Sequence, residues 1–233
     1  MPTVARISWL RLALEACAIV GSILLAFAID AAWEYRRERV EERESLVRLL
    51  DEFEANRGEL ARTRDAFARA LPAAREVLTY GMRILTPEDS AHLRGRLLEA
   101  VGILTFDPGS GALQSLLASG TLERIENREL RAHLASWSGR MDDYKEDERQ
   151  AAYVANREVI PWLDPVAPLP VVEEANDHEY VVDLQDALRD LRFLNRIGRL
   201  VYAMEVAAAD ATAMATEIDR TIALLERELG RSE

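Results

Sequence analysis

The chain has almost no cysteine. Cys17 is the only one in 233 residues, so no disulfide can form within one molecule. Aromatic residues make up only 6% of the chain and glycine occurs 11 times, a composition that favours long helices over sheets. An excess of basic charge is also missing: the net charge of -12 argues against a nucleic-acid-binding surface. We therefore expect an all-α protein that does not bind nucleic acid.

Catalytic and metal-binding motifs are missing as well. The histidines are His92, His133 and His178, and none of them lies in an HExxH motif or beside cysteine ligands. There is no Walker loop, no GxGxxG, and no doubled Glu-x-x-His of the kind a di-iron bundle uses. The acidic stretch Glu173–Glu179 lacks EF-hand spacing and is typical of a solvated loop. We predict no catalytic residue, no metal site and no cofactor.

One long apolar stretch lies near the start of the chain. Between Leu12 and Ile29 the only charged residue is Glu15. With its flanks up to Trp33 the stretch spans roughly 24 residues, about 36 Å of helix, and a bilayer core needs about 20. Aromatic and arginine residues flank the stretch on both sides, as they do at membrane interfaces. We predict a transmembrane helix over residues 12–33.

Two other interpretations of this stretch compete with a membrane anchor. Ala26-Phe27-Ala28 has the small-x-small form that a signal peptidase accepts. However, strong helix formers continue from Asp30 to Glu44 without a turn-forming residue. A buried helix of a soluble protein would not usually be terminal with aromatic and arginine flanks. We favour an uncleaved anchor.

The orientation of this helix has two opposing indications. A count of basic residues narrowly favours a cytoplasmic C-terminal domain, since the amino terminus, Arg6 and Arg11 precede the stretch and four arginines follow it: Arg36, Arg37, Arg39 and Arg43. A short basic start before an apolar run is also typical of a signal anchor whose long part is exported. We expect a single-pass protein of the bacterial inner (cytoplasmic) membrane with a periplasmic C-terminal domain.

Small residues form a stripe on one face of the predicted membrane helix. At ~100° per residue its members fall within about 120° of each other: Glu15, Ala18, Ser22, Ala26 and Asp30. The two carboxylates can simply mark the membrane boundaries. Alternatively the stripe is an association face, since small residues let helices approach closely in lipid. The partners we expect are the lipid bilayer and either further copies of the chain or another membrane protein.

Beyond the apolar stretch the pattern is that of an antiparallel helical bundle with long, coiled-coil-like helices. Two heptad seams support it, one through Leu46, Phe53, Leu60 and Phe67, the other through Ile197, Met204, Ala211, Ile218 and Leu225. Pro72 should kink or end the first long helix. The predicted parts are a tail (1–11), the membrane helix (12–33) and a bundle (34–233), divided into a stalk-like helix (34–71), short helices (72–125), a long helix (126–160), a proline-rich loop (161–182) and a last long helix (183–230).

A helix elbow is predicted in the middle of the chain. Ser119-Gly120 ends one short helix with a residue that tolerates positive φ, and Asn127 caps the next helix. Nearby leucines and Ile125 would pack this elbow onto the bundle, which is a sufficient structural explanation. A ligand-binding role is the alternative.

Two stretches resemble a bacterial family of single-pass membrane proteins that is catalogued only as a domain of unknown function. The first is the apolar helix and its exit, carried by Glu15, Gly21, Ala26, Ile29, Trp33 and Glu34. The second surrounds the elbow, carried by Leu116, Ser119, Gly120, Ile125, Asn127, Glu129, Leu130 and Arg131. The chain departs from the family pattern at Asp30 and in its short amino terminus. The resemblance implies an uncleaved anchor with a helical domain and implies no activity.

These observations favour a membrane-anchored helical protein without enzymatic activity. It would act by self-association or by docking a partner, as a scaffold or interaction protein. The alternative is a sensor whose bundle binds a small molecule and passes a helix shift through the anchor. An enzyme with a site built from scattered carboxylates ranks last.

Overall fold

The structure is a computed structural model that describes residues 9–81, 83–163, 166 and 183–231. All regular elements among these residues are helical and none is a strand, which confirms the all-α prediction. The α-helices are α1 (Trp9–Tyr80), α2 (Pro87–Ala100), α3 (Gly111–Ala118), α4 (Arg128–Ala135), α5 (Trp137–Tyr153), α6 (Ile160–Leu163), α7 (Leu184–Arg189) and α8 (Leu191–Arg231). A 3₁₀ turn (Thr121–Arg124) precedes α4, and a π-helical turn (Val154–Val159) joins α5 to α6.

Helix α1 continues through Pro72, which corrects the predicted end of the stalk at Leu71. A proline inside a helix removes one backbone hydrogen bond and its ring crowds the preceding turn. The neighbouring side chains compensate, because Ala70, Ala73 and Ala74 are completely buried in the bundle. Tertiary packing therefore extends the helix to Tyr80 against the local preference of the proline.

The long helices α1, α5 and α8 form the frame of the bundle. Pairs along α1 and α8 run in opposite directions, from Arg43 with Leu229 to Arg75 with Glu205. The same holds for α5 and the following π-helical turn against α8, where Arg140 contacts Glu217 and Arg199 contacts Glu158. Both α1 and α5 are therefore antiparallel to α8, and the shorter helices fill the remaining sides.

The bundle has two hydrophobic cores along its length. The proximal core, nearer the apolar segment, joins the first turns of the α1 seam to α3, α4, α5 and the end of α8, through Leu46, Phe53, Trp137, Ile218 and Leu225 among others. The distal core joins the end of α1 to α2, α6, α7 and the start of α8, through Phe67, Val77, Leu97, Phe193 and Met204 among others. The residues of both predicted heptad seams are buried in these cores.

Two predicted long helices are divided in the structure. The helix expected over 126–160 breaks at Ser136, whose hydroxyl donates to the carbonyls of Ala132 and His133 and so competes with the helical pattern. The helix expected from residue 183 breaks at Asp190, whose carboxylate accepts from the backbone N–H of Arg192 at 2.8 Å and starts α8. Short polar side chains thus interrupt both helices by bonding to nearby backbone.

The proline-rich loop predicted over 161–182 begins later than expected. Residues 161–163 are helical in α6, with Pro161 just after the π-helical turn. The π-helical turn before it is closed by the Ile160 N–H, which donates to the carbonyl of Ala155. Residues 164, 165 and 167–182, and with them the acidic stretch Glu173–Glu179, lie outside the described residues.

Candidate functional site

The first half of α1 stands apart from the bundle. Glu15 and residues 17–37 are all exposed, and the apolar window within this helix has a mean hydropathy of 1.7 with no residue buried. By length and composition, α1 is the one described helix that is able to cross a membrane. The predicted association face lies here, with all five of its residues exposed: Glu15, Ala18, Ser22, Ala26 and Asp30. The Ser22 hydroxyl donates to the Ile19 carbonyl of its own helix at 2.8 Å.

The elbow has the local geometry that the sequence predicts. Gly120 has φ of +70°, the left-handed region that favours glycine, and it follows the last turn of α3. The hydroxyls of Ser119 and Thr121 lie 2.7 Å apart, and Ser119 also donates to the Leu116 carbonyl at 3.2 Å. These bonds close the C-terminal end of α3 and turn the chain towards α4.

Asn127 caps α4, as predicted. Its side-chain oxygen accepts from the backbone N–H groups of Glu129 and Leu130 at 3.0 and 3.1 Å. Its own backbone N–H donates to the Glu228 carboxylate, at 3.3 Å, near the end of α8. The cap therefore also connects the elbow with the last turns of the chain.

Two ion pairs attach the elbow to α1 just beyond the apolar segment. Arg39 contacts Glu126 at 2.6 Å, and Arg124 contacts Glu38 at 3.2 Å. These side chains are largely exposed, so each pair contributes about 0–1 kcal/mol at most. Together they mark the point at which the elbow meets α1.

A cavity of about 270 Å³ lies between α1 and the elbow. Its walls carry carboxylates from α1, including Glu41 and Glu44, and the hydroxyls of Ser115, Ser119 and Thr121 from the other side. Of the predicted elbow residues, the cavity includes Ser119, whereas Asn127 is committed to the cap of α4. The association face and the elbow do not meet. The face ends at Asp30, whereas the ion pairs from the elbow reach α1 at Glu38 and Arg39.

Asn56 is a buried polar residue of α1 and holds the loop before α3. Its side-chain amide donates to the Gly109 carbonyl and accepts from the Gly109 N–H, both at 2.8 Å. One turn earlier, Glu52 accepts from the N–H groups of Ala112 and Leu113 at 2.6 and 3.2 Å. A carboxylate from α1 thus caps α3 in place of a local capping residue.

Glu148 is buried between α5 and the same loop. Its carboxylate accepts from the Phe106 N–H at 2.6 Å and from the Tyr144 hydroxyl at 2.8 Å. Burial raises the pKa of Glu148, and these two hydrogen bonds oppose the rise in part. Burial, together with the adjacent Glu148, also raises the pKa of Tyr144. Both side chains have their partners within the fold, so they hold the loop to α5.

His133 forms a second buried polar contact, between α4, α5 and α8. Arg140 can only donate, so the 3.2 Å contact from its guanidinium makes Nδ1 of His133 an acceptor. Nε2 then carries the proton and lies 3.4 Å from the Glu217 carbonyl. Burial lowers the pKa of His133 and Arg140 lowers it further, so the neutral ring is favoured.

These polar side chains form hydrogen-bonded supports of the fold. Among the described residues, no group of three or more histidine, cysteine or acidic side chains is placed to hold a metal ion. Sequence reasoning missed Glu52 and Glu148, since an acidic residue on a helix is usually solvated and no local pattern indicates the distant loop that it bonds. Of these three residues, Asn56 alone has a recognisable sequence signal, because it is a polar residue within the apolar seam of α1.

No protein-family model, curated protein or solved structure matches the chain. The resemblance to a bacterial family of single-pass membrane proteins therefore stays a prediction.

Proposed function

We propose that this chain is a membrane-anchored helical protein that acts by association, as a scaffold or self-associating protein, rather than by catalysis. The observation that carries the proposal is the exposed first half of α1. Leu24, Leu25 and Phe27 are 63%, 63% and 66% exposed, and the described part of the bundle does not cover them. Apolar surface left in water costs about 25 cal/mol per Å², whereas a bilayer removes that cost.

The continuity of α1 supports an uncleaved anchor. The Ala26-Phe27-Ala28 stretch lies within an uninterrupted helix, and the same helix supplies the seam of both cores. Cleavage near Ala28 would leave an exposed helical end close to the bundle. An intact α1 instead holds the bundle just beyond the apolar segment, at Glu38 and Arg39.

The test is extraction of native membranes with alkaline carbonate, followed by mass spectrometry of the intact chain. We expect the chain to stay in the pellet with residues 12–33 retained. A mature protein that begins near Ile29, or an intact chain in the wash, would contradict the proposal. A variant with Leu24 and Leu25 both replaced by Arg serves as the control, because the bundle should fold while membrane retention is lost.

The proposal includes an orientation, with the bundle outside the cytoplasm of a bacterial cell. It is supported by the short basic start before the apolar run. Fusions at Glu233 to a periplasm-active phosphatase and to a cytoplasm-active fluorescent protein test it. Fluorescence without phosphatase activity would reverse the orientation and leave the anchor in place.

A ligand sensor is the second candidate, favoured by the cavity between α1 and the elbow. A molecule bound there would contact α1 directly through Glu41 and Glu44 and the elbow through Ser119. Ser115→Trp places a large side chain in the cavity, so it should block ligand binding without a change in membrane retention. A compound whose thermal shift survives Ser115→Trp would bind elsewhere.

A further inference from the structure

Three exposed apolar residues follow the apolar segment on the outer face of α1. Trp33, Val40 and Val47 are 71%, 56% and 41% exposed, and they recur every seven residues. We call them the outer stripe. At ~100° per residue they point about 100–160° away from Leu46 and Phe53 of the buried seam. They therefore do not belong to the cores of their own chain.

The outer stripe continues the face of α1 that carries Ala18, Ser22 and Ala26. The helix is unbroken from Trp9 to Tyr80, so the angular relation between the two parts is fixed. Residues seven apart drift by only ~20° per heptad, which keeps the stripe on that face over about 45 Å of helix. One partner helix lying along α1 would meet both parts.

Charges beside the outer stripe discriminate between partner orientations. On one flank the charged residues of α1 between 33 and 47 are arginines: Arg39 and Arg43 also contact Glu126 and the Leu229 carbonyl of their own chain, and Arg36 is exposed. The other flank is mixed, with three glutamates against two arginines: Glu34, Glu41, Glu44, Arg37 and Arg48. In a parallel two-fold pair, the arginine flank of one helix faces the glutamate-containing flank of the other. An antiparallel two-fold pair would place arginine against arginine, which is unfavourable.

We propose that the outer stripe is the contact between two copies of this chain, paired in parallel along α1. The inference rests on the proposed membrane anchoring, which gives both copies the same orientation and brings identical residues to the same height above the bilayer. Val40 then meets Val40 of the second copy, and Val47 meets Val47.

Cysteine crosslinking in lipid vesicles tests the contact. Cys17 is replaced by serine, and single cysteines are introduced as Val40→Cys, Val47→Cys and Glu41→Cys. Glu41 is the matched control, because it lies one residue from Val40 in height but about 100° round the helix. A disulfide requires Cα atoms closer than about 7 Å. We therefore expect at least about tenfold more disulfide-linked dimer at positions 40 and 47 than at position 41.

The native thiol gives an internal control. Cys17 lies about 140° from the outer stripe, so oxidation of the unmodified chain should not yield this dimer. In the Cys17→Ser chain, Trp33→Cys supplies a reporter cysteine in the outer stripe. Adding Val40→Glu and Val47→Glu places four carboxylates in the contact between the two copies. These two substitutions should lower crosslinking at position 33 at least about tenfold. The free energy of unfolding of the monomer, measured in mild detergent at a dilution where no dimer remains, should not change, because both valines are exposed in the single chain.

The outcomes separate this inference from the proposed function. Equal crosslinking at positions 40 and 41, or none at any position in a chain that resists carbonate extraction, would overturn the parallel pair and leave the anchor intact. Release of the chain by carbonate would overturn the anchor, and this inference with it.

Discussion

Two phenylalanines in one helix show how differently the two halves of α1 are used. Phe27 is 66% exposed in the apolar segment, whereas Phe53 is 1% exposed and meets Trp137 edge-to-face, with ring centroids 4.7 Å apart. The first half is apolar over most of its circumference, whereas the buried apolar residues of the second half lie along one seam. An all-round apolar surface suits a uniform apolar solvent, whereas a stripe suits a neighbouring helix. The bundle begins where the pattern changes.

The largest expected effect comes from exchanging these two side chains for alanine. Phe53→Ala removes a fully buried ring from the proximal core and should lower the free energy of unfolding by about 3–5 kcal/mol. Phe27→Ala in the same helix should leave it unchanged. Denaturation by urea in mild detergent measures both. A loss at Phe27 similar to that at Phe53 would mean that the apolar segment packs against protein, and the contrast between the two halves would disappear.

Pro72 offers a second test of the buried half. Its ring is exposed, so Pro72→Ala keeps the buried alanines on either side and restores the N–H that the preceding turn lacks. We expect the free energy of unfolding to rise by about 1–3 kcal/mol. A decrease would show that the bundle requires the bend or the rigidity that the proline imposes at this point.

Asn56 tests how the buried half of α1 holds a distant loop. Asn56→Ala leaves the Gly109 N–H and carbonyl without their partner and should cost about 1–3 kcal/mol. Hydrogen exchange locates the effect: the Gly109 amide should exchange faster, and the Leu113 amide, which Glu52 holds, should change much less. Equal acceleration at both amides would indicate that the whole loop detaches instead.

The smallest expected effect is a change in the free energy of unfolding of the bundle with pH, which should leave the apolar segment unchanged. The pKa of His133 is lowered in the folded state, so below its ordinary value near 6.5 the unfolded chain binds more protons. Stability from the neutral ring is therefore complete above that pH and is lost as pH falls. The groups that face His133 are Arg140, Glu217 and Arg220.

The variant His133→Gln should flatten the fall in stability between about pH 7 and 5. Glu148 provides the opposite control, since its pKa is raised and its contribution is lost as pH rises. Glu148→Gln should therefore steepen the fall in stability on acidification, because it removes a contribution that grows as pH falls. Thermal unfolding at a series of pH values measures both, and an unchanged profile in His133→Gln would show that other groups cause the acid response.

Much of the helical layout was predictable because its causes are local. The seams on α1 and α8, the cap at Asn127 and the left-handed Gly120 each depend on residue type and spacing along the chain. The breaks at Ser136 and Asp190 were missed because weak local hydrogen bonds decided them. The end of α1 was misplaced because packing at Ala73 and Ala74 outweighed a proline.

By itself, the sequence determined an all-α chain, the apolar segment near its start and the buried faces of the long helices, since hydrophobic periodicity and backbone preference act over a few turns. Only the tertiary structure decided that Glu52, Asn56 and Glu148 hold the loop at 106–113, and that α1 continues through Pro72 to Tyr80. Such contacts join residues tens of positions apart. Their partners are set by how the helices pack, which short-range patterns do not encode.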